Sequence, residues 1–212
     1  MKTRLLNGHE AHDIQIAADL VRQGKLVVFP TDTVYGIGVD ARQADAINLL
    51  YAAKQRSFDL GIPVLIADSA EIDTLAELPG IQRDWINTLT TQFWPGPLTL
   101  VLPRHSALPQ NISPNNGIAI RLPDNTIARK LIRAAGGAIA ASSANLSGEQ
   151  PALSGTEAVD IFDGIVAAVL DGGPAFGGVP STVFDCRQFP PRILRSGPIS
   201  AQVLHPEAEQ LR

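Results

Sequence analysis

The chain of 212 residues has one cysteine, Cys186, which excludes an intramolecular disulfide and a cysteine-based zinc cage, since the latter needs several thiolates. Cys186 itself is expected as a small apolar filler beside a strand. No apolar run approaches the roughly 18 residues of a membrane span. The opening Met1-Lys-Thr-Arg-Leu-Leu-Asn-Gly-His-Glu turns polar before a signal-peptide core could form, so a cytoplasmic protein without membrane contact is expected. Charge is sparse: charged residues make up 18%, and 17 Lys plus Arg against 21 Asp plus Glu leave a net charge of −4. An acidic total argues against wholesale coating of nucleic acid, whose affinity comes from neutralised phosphates. Yet Arg outnumbers Lys about three to one, and Arg suits fixed, forked contacts to carboxylate or phosphate, so small anionic ligands stay open.

Several catalytic motifs are also missing. There is no P-loop and no Gly-x-Ser-x-Gly elbow, and Ser143-Ala-Asn145 lacks the Ser-x-x-Lys partner of penicillin-binding enzymes. Gly36-x-Gly38-x-x-Ala41 matches a relaxed dinucleotide fingerprint. Its glycines, however, follow an intervening loop, and a helix end stands where a strand with a ribose-binding acid belongs. His9, His12, His105 and His205 have no spacing that would build a metal face or a triad, and they read as surface histidines.

What is present can fold. With 45% hydrophobic residues the chain can bury a substantial core, and its length suits one compact domain over 1–212. Ile14, Ala17, Ala18 and Val21 fall at helical spacing, with Gly24 as the stop. Lys25-Leu-Val-Val-Phe-Pro30 is a strand-type run. The turn-rich Thr31-Asp-Thr-Val-Tyr-Gly36 follows, and then Ala46, Ile47, Leu49, Leu50 and Ala53 form a helical stripe. Further strands are expected at 62–67, 98–102, 117–122, 138–141, 165–170, 181–185 and 192–194, and helices around 81–93, 125–135 and 155–162. This alternation indicates α/β, and the late strands without long helices between them imply a mixed sheet. Residues 172–180, Gly-Gly-Pro-Ala-Phe-Gly-Gly-Val-Pro, read as a mobile loop, and the tail beyond about Leu204 as expendable.

Polar, glycine-punctuated segments sit at the strand ends, where ligands bind in open α/β sheets. Thr31 to Gly36 follows one buried strand, and Ser142-Ser-Ala-Asn-Leu-Ser-Gly148 follows another, bringing hydroxyl and amide groups to its mouth. Lys54 and Arg56 close a helix, where they could serve merely to complement its dipole. Arg121 and Arg195 end apolar strands, a place where a single charge is often just solvated.

Taken in order, these segments resemble the YrdC family of threonylcarbamoyl-AMP synthases. The resemblance covers about residues 10–204. It rests on Pro30-Thr-Asp-Thr-Val-Tyr-Gly-Ile-Gly38, Lys54-Gln-Arg56, Trp94-Pro-Gly-Pro-Leu-Thr-Leu100, Arg121-Leu-Pro123, Ser142 to Gly148, Pro180-Ser-Thr-Val183 and Arg195-Ser-Gly197. It implies a twisted mixed α/β sheet with flanking helices around a deep basic cavity. It also implies a nucleotidyltransferase that condenses L-threonine, bicarbonate and ATP, carried with Mg²⁺, into threonylcarbamoyl-AMP and pyrophosphate. The product would feed threonylcarbamoyladenosine formation in tRNA through downstream tRNA-modifying proteins, and a direct tRNA contact is compatible with this. Nothing follows Arg212, which suggests the short, single-domain form.

By the same resemblance, Lys54, Arg56, Ser143 and Asn145 form the catalytic set. Thr33, Arg121, Ser143 and Ser181 would surround threonine, and Lys54, Arg56, Asn145 and Arg195 would face the nucleotide. No residue is assigned to a metal. The chemistry fits these residue types: Arg121 can clamp a carboxylate through two parallel hydrogen bonds, and cations offset the repulsion between a carbamate and the α-phosphate. Replacing Lys54 or Arg56 is expected to spare the fold. Two departures from the family pattern stand out. Ser57 and Leu60-Gly61-Ile62 replace Pro and a second Lys-Pro-Leu element, and Leu65 stands where longer members carry a threonine-contacting His. Alternative readings are an RNA-binding module of the same fold and a domain acting on carbamoyl phosphate.

Overall fold

A computed structural model describes residues 2–175 and 177–204. Phe176 of the Gly/Pro loop and the tail 205–212, including His205, lie outside the described residues. The elements run β1 (Arg4–Asn7), α1 (Ala11–Arg22), β2 (Val27–Phe29), β3 (Gly36–Asp40), α2 (Ala44–Lys54), β4 (Val64–Ile66), α3 (Ile72–Leu75), α4 (Gly80–Phe93) and β5 (Leu98–Pro103). They continue through β6 (Gly117–Arg121), α5 (Thr126–Ala134), β7 (Ala138–Ser143), α6 (Gly155–Phe162), β8 (Ala168–Asp171), β9 (Thr182–Asp185) and β10 (Arg192–Arg195). Short 3₁₀ turns at Ser69–Glu71 and Gln110–Ile112 complete the set. Among the described residues no helix is long and apolar enough to cross a membrane.

The strands form one sheet in the order β1-β8-β2-β3-β7-β4-β6-β5-β9-β10. It is mixed, as expected: β1/β8, β2/β8, β4/β6 and β5/β9 are parallel and the other neighbouring pairs antiparallel. Alternation along each strand sorts side chains into two cores. Val28, Ile37, Val64, Leu100, Ile120 and Phe184 pack on the face covered by α2, α3, α4 and α6. Val27, Phe29, Leu65, Ile139 and Ala141 pack on the opposite face against α1 and α5.

Two strands differ from the sequence expectation. β3 occupies part of what reads as a loop, because Gly36 and Gly38 fall two apart and suggest a turn. In the sheet that glycine face is filled by neighbours: a Cβ on Gly38 would stand 2.6 Å from Ile139 Cγ2 and 3.1 Å from the Phe29 ring. β1 is an edge strand with only Leu6 buried, so it leaves no apolar alternation to read. Leu49, counted in the helical stripe, is exposed, whereas Tyr51 and Lys54 are buried. Cys186 is buried beside β9, and burial first, with Asp185 second, pushes its thiol well up.

The helices α1 and α5 contact β1, β2, β3, β8, β4 and β7, and stop there. Among the described residues, the same face of β6, β5 and β9 lines a cleft rather than packing under a helix. That uncovered half of the sheet positions the site.

Candidate active site

Alternation puts Ala119 and Arg121 of β6, Thr99 and Val101 of β5, and Val183 of β9 on the uncovered face, with Leu65 of β4 in register with Arg121. These side chains floor a cleft of about 760 Å³. Loops at 31–36, 56–63, 113–115, 142–151 and 178–181 wall it.

The loop after β2 is shaped by its own hydroxyls. Thr31 Oγ1 donates to Val34 O at 2.6 Å and accepts from Thr33 N at 3.2 Å, and Thr33 Oγ1 lies 3.1 Å from it at the cleft wall. Tyr35, fully buried, pins the end of the loop. Its hydroxyl lies 2.9 Å from Asp171 Oδ1 and 2.6 Å from Gly173 O, and accepts from Gly172 N at 3.1 Å. Burial pushes that phenol up.

Arg56 lines the cleft and Lys54 does not. Arg56 donates from Nε to Leu60 O at 3.1 Å and from Nη2 to Gly61 O at 3.0 Å. The segment that departs from the family pattern thus holds this arginine through backbone carbonyls, which no side-chain comparison reveals. Burial lowers the Arg56 pKa, with Tyr51 acting the other way. Lys54, expected beside it in the cavity, stands behind the wall at 2% exposure. Its Nζ donates to Ser143 O at 2.5 Å and Asn145 O at 2.6 Å, and lies 3.4 Å from Asn145 Oδ1. The reason is geometric: Gln55 takes a left-handed turn at φ 50°, so residues two apart leave α2 in different directions. Burial, and then the charge of Arg56, bring Lys54 down to about 8.

The turn after β7 closes on that ammonium. Ser143 Oγ donates to Asn145 Oδ1 at 2.5 Å, and Asn145 Nδ2 donates to Leu146 O at 2.6 Å and Glu149 O at 2.9 Å. Both residues line the cleft, but the amide of Asn145 is engaged at both ends and shapes the turn. Ser143 Oγ, its proton directed to Asn145, presents lone pairs.

Arg121 is buried in the floor. Its Nε donates to Gly96 O at 3.0 Å and its Nη2 pairs with Asp32, whose other oxygen, Oδ1, is buried without a partner among the described residues. The Nε/Nη2 edge, the usual fork for a carboxylate, is therefore already in use. A two-bond clamp through that edge does not apply, and Nη1 with the second Nη2 hydrogen is left to a ligand. Across the floor, Ser181 Oγ lies 2.7 Å from Thr99 Oγ1. Arg195 reaches Ser181 O from Nε at 3.1 Å and from Nη2 at 3.0 Å. Gly197 makes this possible, since a Cβ there would meet Thr182 N at 2.3 Å and Pro180 O at 2.5 Å. Arg195 is held below the usual arginine range by burial, then by the charges of Arg121 and Arg56.

Four arginines line the cleft: Arg56, Arg121, Arg187 and Arg195. Two are matched by carboxylates, Arg121 by Asp32 and Arg187 by Asp185. Among the described residues Arg56 and Arg195 have only carbonyl and hydroxyl partners, so the unbalanced positive field belongs to them. Arg187 and Asn115 escape the sequence reading, and Thr99, inside the Trp94 to Leu100 segment, has no site role in it; only Asp185-x-Arg187 after a strand hints at a bracing pair. Asp59 and Glu149 are carboxylates at the lining, and no group of three His, Cys, Asp or Glu stands ready for a metal among the described residues.

A family profile described as telomere recombination, Sua5/YciO/YrdC, matches residues 19–197. The chain belongs to the Sua5/YciO/YrdC family. It is 38% identical over 205 residues to a threonylcarbamoyl-AMP synthase of Pyrococcus abyssi, covering 96% of this chain and 59% of that protein. To that of Bacillus subtilis it is 42% identical over 198 residues, covering 90% and 56%. The chain thus spans a little over half the length of these relatives. A crystal structure of P. abyssi Sua5 complexed with L-threonine superposes with a TM-score of 0.89 at 36% identity, covering 98% of this chain and 61% of that one. Each of the seven family motif segments puts at least one residue on the one cleft: Thr33, Arg56, Thr99, Arg121, Ser143, Ser181 and Arg195.

Proposed function

We propose that the cleft makes L-threonylcarbamoyl-AMP from L-threonine, bicarbonate and ATP with release of pyrophosphate, a nucleotidyl transfer that serves tRNA threonylcarbamoyladenosine formation. The observation that carries this is the convergence of all seven motif segments on one cleft with an unbalanced pair of arginines. Threonine lies over the floor. Its carboxylate takes Arg121 Nη1, its hydroxyl meets Thr33 and Ser181, and Ser143 accepts from its amine. The neutral amine condenses with bicarbonate to a carbamate with loss of water, and a carbamate oxygen then attacks the α-phosphate of ATP, breaking its bond to the bridging oxygen of pyrophosphate. Arg56 and Arg195 offset the charge of the triphosphate and of departing pyrophosphate. Asn145 and Lys54 act through the turn that presents Ser143 rather than on phosphate. No covalent nucleophile is required, so catalysis is positioning plus electrostatics.

Mg²⁺ fits as an ion that arrives on the phosphates, with water and at most Asp59 or Glu149 nearby. The RNA-module reading has less support, because the arginines lie inside a concave cleft and half of them are already matched by carboxylates. Incubation with ATP, Mg²⁺, bicarbonate and radiolabelled threonine tests the assignment. Label should appear in an adenylate, and retention of all label in free threonine would refute it.

A further inference from the structure

We propose that Arg187 is a stacking platform for the purine base of the nucleotide. This deepens the synthase reading and rests on it. Arg187 follows β9 by two residues, and its guanidinium is braced on three sides. Nε and Nη2 donate to the two oxygens of Asp185 at 2.9 and 2.7 Å, and Nη1 donates to Asn115 Oδ1 at 2.8 Å. Asp185 is 3% exposed and shares the cleft face of β9 with Val183, so the brace is built into the floor.

Gly117 leaves room for the guanidinium. A Cβ at that position would stand 2.8 Å from Arg187 Nη1 and 3.1 Å from its Cδ. Gly117 shares its strand face with Ala119 and Arg121, so the Arg187 side chain lies close against bare backbone where another side chain would otherwise rise from the cleft floor. Held there, Arg187 lines the cleft. A flat guanidinium with its bonding edge largely engaged offers its face, which stacks on a base.

Charge distribution supports the same part. The Asp185 carboxylate balances Arg187, whereas Arg56 and Arg195 are unbalanced and suit phosphates. Val101, in register with Asp185, adds an apolar bed beside the platform. Arg187 also stands at the opposite end of β9 from Ser181. The guanidinium folds back on Asp185, and four residue steps of extended chain, roughly 13 Å, separate that residue from Ser181, room for a nucleotide whose phosphates lie between the base and the amino acid.

The test is calorimetry on the wild type, Arg187→Ala and Arg187→Lys with ATP, CTP, inorganic tripolyphosphate and threonine, with melting curves for each. Lysine keeps the charge beside Asp185, which guards against a folding defect, but loses the plane. Both variants should bind ATP about tenfold more weakly and narrow the preference for ATP over CTP, while tripolyphosphate and threonine change less than about twofold. Unchanged ATP affinity in a folded Arg187→Ala protein would overturn the platform. So would parallel losses of ATP and tripolyphosphate that lysine restores, since they would mark a phosphate contact. If the wild type binds no ATP, the synthase reading itself fails, and the platform with it.

Discussion

Arg56 enters the cleft from the end of α2 on the carbonyls of Leu60 and Gly61, while Lys54 turns inward to the carbonyls of Ser143 and Asn145. Replacing Arg56 by alanine uncovers anionic phosphates in a sheltered site and should cost about 3 kcal/mol of transition-state stabilisation, more than a hundred-fold in rate. Its melting temperature should stay within a degree or two of wild type, because Arg56 lies under the repulsion of neighbouring cations. Steady-state rates beside a melting curve check both. Lys54→Met should do the reverse of what its place in the motif suggests and lower the melting temperature. Asn145 O loses its donor at about 1–3 kcal/mol, while Ser143 O keeps its bond from Asn145 N, and each kcal/mol moves a domain of this size by roughly 2–4 °C. The ammonium also carries a pH signature. Its folded pKa of about 8 lies below the ordinary 10.5, so between those values the unfolded chain binds more protons and stability rises with pH. Denaturant titrations should show the stability advantage of wild type over Lys54→Met growing from pH 8 to 10. A constant difference would mean that the ammonium is not penalised by burial. The substrate methyl is read by similar arithmetic: with Leu65, Val34 and Ala141 lining the threonine end, serine should bind about fourfold more weakly, the worth of one apolar carbon at about 0.8 kcal/mol. Equal affinities by calorimetry would remove the niche.

β9 and the segment after β10 lock together through Gly197, and Arg195 depends on that contact. Gly197→Ala forces a shift against backbone at Thr182 and Pro180, an overpacking of about 1–3 kcal/mol that should lower the melting temperature by several degrees. It should also loosen Arg195 from Ser181 and weaken ATP binding severalfold, and, because the displaced backbone is that of Ser181, weaken threonine binding in the same titrations. Retention of wild-type ATP affinity would show that the arginine is positioned some other way. At this scale the sequence is legible where packing is periodic. α1, β5, β7 and α6 lie within a few residues of their expected places because their apolar spacing is set by burial on one or two faces. β3 is not legible, since its glycines are demanded by Phe29 and Ile139 from distant strands, and β1 is not, since an edge strand with one buried residue has no pattern. In the site, the expected polar residues do converge, Lys54 excepted. The bonds that decide their roles run through backbone carbonyls at 60, 61, 96, 143, 145 and 181, which residue identity does not encode. Arg187 and Asn115 are invisible for the same reason: one follows β9 and the other precedes β6, strands that flank β5 and are brought near only by the sheet order.

Among the described residues the chain forms one mixed sheet in which β8, β2, β3 and β7 are packed on both faces, while β6, β5 and β9 are packed on one. The uncovered half-face is the cleft, so the site is a consequence of where α1 and α5 stop rather than of a separate catalytic unit. The proposed attack of a threonine-derived carbamate on ATP rests on that cleft, with its buried, carboxylate-paired Arg121 and two arginines without a carboxylate partner among the described residues. That chemistry makes pyrophosphate release conditional on both threonine and bicarbonate. The decisive measurement is pyrophosphate release by the wild-type chain with Mg-ATP, with threonine and bicarbonate each omitted in turn. Release should require both together, match labelled threonylcarbamoyl-AMP mole for mole, and fall more than a hundred-fold in Arg56→Ala. Release of ADP and phosphate, or of pyrophosphate at equal rates without threonine, would contradict the assignment of the cleft.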